Sequence, residues 1–256
     1  MAKNPLLLGA AFLCAALLGA GLFMLVQRVI PGANPDKVRF EAMMHDYILD
    51  HGELLPEAMD RVEQKRIAER DKTMNEAPKY VAAHRADIAN PYSGAMQGNP
   101  QGNVTVSAFL DYNCGYCRAS LPAIAELVKR DPNVRIVYRE FPVLANSSVI
   151  AARWALAAAE QGKFLAFHHS MYGAGHVDDD SIATAATVAG LDKKVAEQTI
   201  EAPRVQQEIE KNRATATALG SSNATPFWVV GDKVLSGMLT YDQLAAAVAE
   251  ARKGKS

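Results

Sequence analysis

Apolar and polar positions along the chain keep several rhythms, and each marks a different kind of structure. Residues 5–26 are apolar and uncharged, with Lys3 before them and Gln27-Arg28 after them; a run of that length can cross a bilayer. Phe40, Met43, Met44, Tyr47 and Ile48 then recur at helical spacing, and after Gly52 the series resumes with Leu55, Ala58, Met59 and Val62. Two amphipathic helices follow, the second with Pro56 in its first turn and heavily charged between Arg61 and Lys72. A further helical stretch over 79–89 carries Tyr80, Val81, His84 and Ile88 and is stopped by Asn90-Pro91.

The rhythm changes after the turn cluster at residues 99–103. Val104, Val106, Ala108 and Leu110 alternate with smaller or polar neighbours and predict a strand. A helix begins near Cys114 and continues through Ile124 and Leu127 to Arg130, with a kink expected at Pro122. Asp131-Pro132-Asn133 turns the chain into a second β-rich run over 134–141. Strand, helix, strand predicts a parallel pair joined by a right-handed crossover. Residues 147–220 are Ala-rich with helical period and fit four or five helices. Phe227 to Val230, a Gly231-Asp232 turn and Lys233 to Leu235 read as a hairpin, and Thr240-Tyr241-Asp242-Gln243 is the capping-box pattern of a last helix to about Lys253. Thr225-Pro226 stands at the entry to the hairpin, a place where a cis bond is a candidate.

With 256 residues, about half of them hydrophobic, the chain can bury a full core. A formal charge of -1 and no block of Lys or Arg argue against nucleic acid as a partner. Residues 1–30 are expected to be an uncleaved signal anchor, with a cleaved signal peptide as the alternative, because the apolar core is long and the site at Pro31-Gly32-Ala33 is a poor cleavage sequence. The rest would then face an oxidising compartment. The helical segment over 36–90 has a single apolar stripe and cannot make its own core. It is expected to associate with copies of itself, the alternative being a stalk lying on its own main domain.

The chemistry concentrates in Cys114-Gly115-Tyr116-Cys117, where a strand runs out and a helix begins. Two thiols three positions apart share one helix face and can close a disulfide. Cys114, at the helix N-terminus, is placed for thiolate stabilisation, and Cys117, one turn deeper, is the resolving partner. That pair needs no bound cofactor for two-electron exchange. Two other readings stay open for a lone C-x-x-C: half of a zinc site, which lacks two further ligands because Cys14 lies in the N-terminal apolar run, and an inert structural disulfide. His168, His169 and His176 read as structural or surface residues and not as a metal cluster.

The order strand, Cys114–Cys117 helix, strand, helical insertion, Thr225-Pro226, hairpin and terminal helix resembles the thioredoxin fold with the insertion of the DsbA family, over about 99–253 with the insertion at about 147–220. Asp111-Tyr112-Asn113-Cys114, Arg139-Glu140-Phe141-Pro142 and the helical segment from Val38 to Lys72 look most like the Com1 and ScsC group of bacterial envelope proteins. The resemblance implies an α/β fold, Cys114 as nucleophile, Cys117 as resolving thiol, and Thr225 and Pro226 as a cis-proline loop that holds extended substrate. It implies envelope proteins with missing or wrong disulfides as substrates, a membrane electron donor or oxidant as redox partner, oligomerisation through the leading helices, and a periplasmic location, here anchored by residues 5–30. Gly115-Tyr116 and the threonine before the proline resemble DsbC isomerases, which implies isomerase or reductase activity before the alternative of a DsbA-like oxidase. A holdase or a copper-handling protein remains a reading of a different class. One departure is that thioredoxin-like sites carry a carboxylate six residues before the first cysteine, and here that residue is Ala108. Glu140 is the substitute the sequence offers, against the simpler reading of an exposed or ion-paired glutamate.

Overall fold

The computed structural model describes residues 18–19, 35–221 and 223–254. The chain forms two compact units, residues 1–66 and 67–256.

In the first unit, helix α1 (Pro35–Asp50) is followed by a turn and the start of helix α2 (Leu54–Ala83). The apolar stripe predicted from spacing is present, and its side chains lie in the open: Phe40, Met43, Tyr47, Leu55, Met59 and Val62 are all exposed. Surface ion pairs at helical spacing, Lys37 with Glu41 and Arg61 with Glu57, support the helices by a few tenths of a kcal/mol each.

Among the described residues no helix is long and apolar enough to cross a membrane. Their helices carry charged or polar faces, whereas a span needs about 20 predominantly apolar residues. The membrane helix in the expected fold, and with it the anchoring of the protein by residues 5–30, is therefore corrected. Apart from Leu18 and Gly19, that apolar run lies outside the described residues.

The second unit holds the end of α2, a short helix α3 (Arg85–Ala89) and strands β1 (Met96–Gly98) and β2 (Val104–Leu110). Helix α4 (Gly115–Arg130) and strand β3 (Val134–Glu140) follow, then helices α5 (Asn146–Glu160), α6 (Phe164–Ala174), α7 (Asp179–Val188), α8 (Lys193–Ile200) and α9 (Pro203–Ala218), the hairpin β4 (Phe227–Val230) and β5 (Lys233–Ser236), and helix α10 (Tyr241–Lys253). The sheet order is β1-β3-β2-β4-β5, with β2 and β3 parallel and the other pairs antiparallel. This is the α/β thioredoxin fold, with α5 to α9 as its helical insertion. Helix α10 begins on the predicted capping box of Thr240 and Gln243.

One local expectation changes, and one strand is added. The helix expected over 79–89 is divided, because α2 runs through Pro78 as far as Ala83 and α3 starts only at Arg85. Helix α4 is continuous through Pro122. Strand β1 was not predicted; three residues are too short to show alternation, and Gly98 ends the strand at φ +86, where a Cβ would lie 2.7 Å from the Val134 carbonyl oxygen.

Strand β2 is buried on both faces, which its alternation alone did not require. Val104, Val106, Ala108 and Leu110 join Cys114, Cys117, Ile124 and Leu127 of the α4 side in the larger core. Phe109 faces the other way, edge-on to Phe141 and Phe227 with ring centroids 6.2 and 5.7 Å apart. Ala77 and Val81 of α2 and Ile88 of α3 complete that second core. The strand that leads to the cysteines is thus fixed from above and below.

Candidate active site

The Asp111 side chain organises the loop between β2 and α4. It is buried, and its two oxygens accept from the Asn113 N–H at 2.8 Å, the Val143 N–H at 2.8 Å, the Leu144 N–H at 3.0 Å and the Ser148 hydroxyl at 2.7 Å. Asn113 donates in turn to the Ser147 and Ser148 hydroxyls at 2.9 and 2.8 Å. A buried carboxylate needs such donors, so one residue ties the cysteine loop to the loop after β3 and to the start of α5. The Asp111 carbonyl also accepts from Tyr172 of α6 at 3.0 Å.

Cys114 is the N-cap of α4. Its sulfur accepts from the Cys117 N–H at 3.3 Å, the place where a helix leaves backbone donors unpaired. The thiol of Cys114 donates to the Thr225 carbonyl at 3.4 Å, and the Thr225–Pro226 bond is cis. The structure therefore brings the four predicted residues Cys114, Cys117, Thr225 and Pro226 together. Gly115 and Tyr116 form the exposed first turn in front of them, with Tyr116 68 % exposed.

The two thiols have opposite electrostatics. Contact with the Cys117 thiol, the Thr225 side chain and the Cys117 and Tyr116 N–H groups lowers the Cys114 pKa to about 6, against an opposing effect of burial. The thiolate is therefore the favoured form at neutral pH. Burial, and then the hydrogen bond to Cys114, push the Cys117 thiol far up. A thiolate at the rim with a protonated thiol behind it is the division of labour that disulfide exchange uses.

Behind the thiols lies a polar cluster that the sequence did not reveal. Glu140 is 4 % exposed and has no ion-pair partner among the described residues, so the expectation of an exposed or ion-paired glutamate is overturned. The Tyr112 hydroxyl is 3.1 Å from Glu140 Oε1 and 3.0 Å from His168 Nδ1. Burial, assisted by the charge of Asp111, raises the Glu140 pKa well above the carboxylate range even though the Tyr112 hydrogen bond opposes it. Burial also lowers the His168 pKa to about 3, so the ring is neutral. His169 is exposed, as adjacent helix positions on different faces require. In sequence, Glu140 stands out through the Arg139-Glu140-Phe141-Pro142 motif and as the substitute for the carboxylate absent at Ala108, but nothing there shows that it is buried.

A family model for the DSBA-like thioredoxin domain matches residues 105–249, more than half of the chain. The chain belongs to this family. The matched domain is a thioredoxin fold of the thiol-disulfide oxidoreductase type. Among solved structures, the chain is similar to a thioredoxin-like oxidoreductase from Silicibacter pomeroyi, at 42 % identity over 66 % of this chain and 98 % of that one, with a TM-score of 0.63. ScsC of Proteus mirabilis in a transitional conformation aligns with 88 % of this chain and 100 % of its own, at 24 % identity and a TM-score of 0.63, a likeness of fold alone. A sodium/proton antiporter NhaA of Salinispora tropica is 30 % identical over 172 residues, 63 % of this chain and 25 % of that protein. The chain spans about a quarter of the length of the curated relatives it matches.

Proposed function

We propose that Cys114 and Cys117 are the redox pair of a protein thiol-disulfide oxidoreductase of envelope proteins, acting as a disulfide isomerase or reductase. The observation that carries this reading is the Cys114 sulfur itself: it caps a helix, its pKa is lowered to about 6, and it lies 3.4 Å from the carbonyl of Thr225. The Cys114 thiolate attacks a substrate disulfide, one substrate sulfur leaves as a thiolate, and a mixed disulfide remains. Cys117 then attacks the Cys114 sulfur, which releases the second substrate sulfur and leaves the Cys114–Cys117 disulfide. A membrane thiol-disulfide donor resets the pair. Thr225 and Pro226 present backbone beside the sulfur, where an extended polypeptide is recognised without reading its side chains.

Gly115-Tyr116, the threonine before Pro226 and the leading helices support placement near the Com1 and ScsC group and the isomerase reading. The exposed stripe through Phe40, Met43, Tyr47, Leu55 and Met59 supports self-association with further copies of the chain, which would gather several sites around one misfolded substrate. The oxidase reading rests on a specific observation of its own: a stabilised Cys114 thiolate favours the reduced pair, and so makes the oxidised pair a good disulfide donor.

Repair of a scrambled disulfide protein by the reduced enzyme is the experiment that decides. Recovery of the native protein supports the isomerase, whereas oxidation of reduced substrate without repair transfers the assignment to the oxidase. Sedimentation with and without residues 36–76 tests association; monomeric mass in both removes the argument from the leading helices.

A further inference from the structure

Helices α5, α7 and α8 of the insertion enclose a groove of about 430 Å³. Ile150 and Trp154 of α5 line it together with Ile182 and Ala186 of α7, each pair one helical repeat apart on its own helix, and Leu191 closes it before α8. All five residues belong to the larger core or pack against it, which fixes the shape of the groove. Its size and apolar walls are those of a binding site and not of a packing defect.

Three side chains in the groove lack partners. Trp154 is half-buried, and among the described residues its indole N–H finds no acceptor and no ring or cation stacks on its face. Asp179 and Asp180, in the first turn of α7, carry no ion pair among the described residues. The other charges of the groove answer each other, Lys193 pairing with Glu197 at 3.9 Å. Asp178 is already committed to the cap of α7 and to His176. A tryptophan and two uncompensated carboxylates in one apolar groove attract a cation on an apolar stem.

The groove opens toward the redox pair. Helix α5 begins at the cysteine end, because Ser147 and Ser148 of its first turn accept from Asn113, the residue before Cys114. Tyr172, near the end of α6, is bound at the same end: its hydroxyl donates to the Asp111 carbonyl, and its own carbonyl accepts from Arg118 Nε at 3.0 Å. The loop after α6 then leads into Asp178 and the first turn of α7. Ile150 and the two carboxylates therefore lie toward the cysteine end of the groove.

We propose that this groove is a second contact site for the polypeptide undergoing disulfide exchange, and that it takes an apolar segment bearing lysine or arginine beside the reacting cysteine. The inference rests on the proposed exchange activity and gives it a substrate preference. Backbone contact at Thr225 and Pro226 does not read side chains, so any preference comes from outside that loop. Apolar side chains of the segment pack on Trp154 and Ile182, and its cationic group reaches Asp179 and Asp180.

The test uses the full reduced chain and a short peptide, blocked at both ends, in which lysine alternates with leucine, with a matched peptide carrying glutamine for lysine. Binding of the labelled, cysteine-free peptides is read by fluorescence anisotropy. The lysine peptide is expected to bind at least about fivefold more tightly than the glutamine peptide, and to lose that advantage in Asp179→Asn/Asp180→Asn. Ala183→Trp fills the groove from an exposed position in its wall, removes no core residue, and should abolish binding of both peptides. Each peptide is also joined through an added cysteine to glutathione. Reduction of these mixed disulfides, divided by the rate of the same protein with glutathione disulfide, should show the same preference and the same losses. Equal binding of the two peptides, no binding, or binding that survives Ala183→Trp overturns the inference. Affinity that falls as protein concentration rises assigns the groove to a second copy of the chain and overturns it as well. If the wild type reduces neither mixed disulfide, the proposed function fails, and the cysteine-free peptides decide the groove by themselves.

Discussion

The Cys114 sulfur and the Thr225 carbonyl oxygen lie 3.4 Å apart, although 111 positions separate the residues in sequence. The contact joins the helix that generates the thiolate to the loop proposed to receive substrate. The Thr225 side chain contributes separately, by helping to lower the Cys114 pKa to about 6. A hydrogen bond is worth roughly 0.5–1.5 kcal/mol net, which corresponds to a shift of up to about one pH unit. Thr225→Val should therefore move the midpoint of Cys114 alkylation by iodoacetamide upward within that range. An unchanged midpoint would deny the threonine this part.

The same contacts make the stability of the reduced protein depend on pH. The Cys114 pKa falls from 9.0 to about 6 on folding, so the stabilisation it supplies is complete above about pH 9 and is lost as pH falls through about 6. Reduced wild type compared with Cys114→Ala should show a Tm advantage that grows from pH 5 to pH 9. A gap of constant size would contradict the thiolate assignment.

Glu140 has the opposite sign. Its pKa is raised in the folded state, so its relative stabilisation is present below the unfolded value near 4.5 and is lost as pH rises above it. Glu140→Gln keeps the shape and a partner for Tyr112 without an ionisable group. It should raise Tm at pH 7 to 8 and change it little at pH 4; equal effects at both would place Glu140 in a solvated site.

Arg139 is held on the opposite face of β3 from Glu140. It pairs with Glu208 at 2.7 Å and donates to the carbonyls of Ile88 and Asn90 at 2.9 and 2.7 Å, and to that of Asp87. Removing one partner of a buried pair typically costs about 3–5 kcal/mol. Arg139→Ala should lose stability of that order in urea while the alkylation midpoint of Cys114 stays in place. A loss below about 1 kcal/mol would show that the pair is solvated.

Much of this arrangement was legible because local chemistry and tertiary structure agree. The alternation of β2, the start of α4 at the cysteines and the capping box of Thr240 and Gln243 each express a local preference that the fold keeps. Thr225 and Pro226 could be matched to Cys114 only through the resemblance, since no local signal connects positions so far apart. Asp111 and Glu140 show where local reading ends. Both are acidic residues at strand ends, which composition assigns to solvent, and both are buried by loops and helices far along the chain. Burial of a carboxyl depends on donors such as the Val143 N–H and the Tyr112 hydroxyl, whose positions exist only once the sheet has formed.

The redox pair itself is the central claim. Its most direct measurement is the equilibrium of the protein across a series of glutathione redox buffers, with the free thiols alkylated and counted by mass. The account predicts a cooperative two-electron transition in which Cys114 and Cys117 change together, and its abolition in either single cysteine-to-serine variant. Two thiols that stay reduced across the series, or that form only separate glutathione adducts, would contradict it.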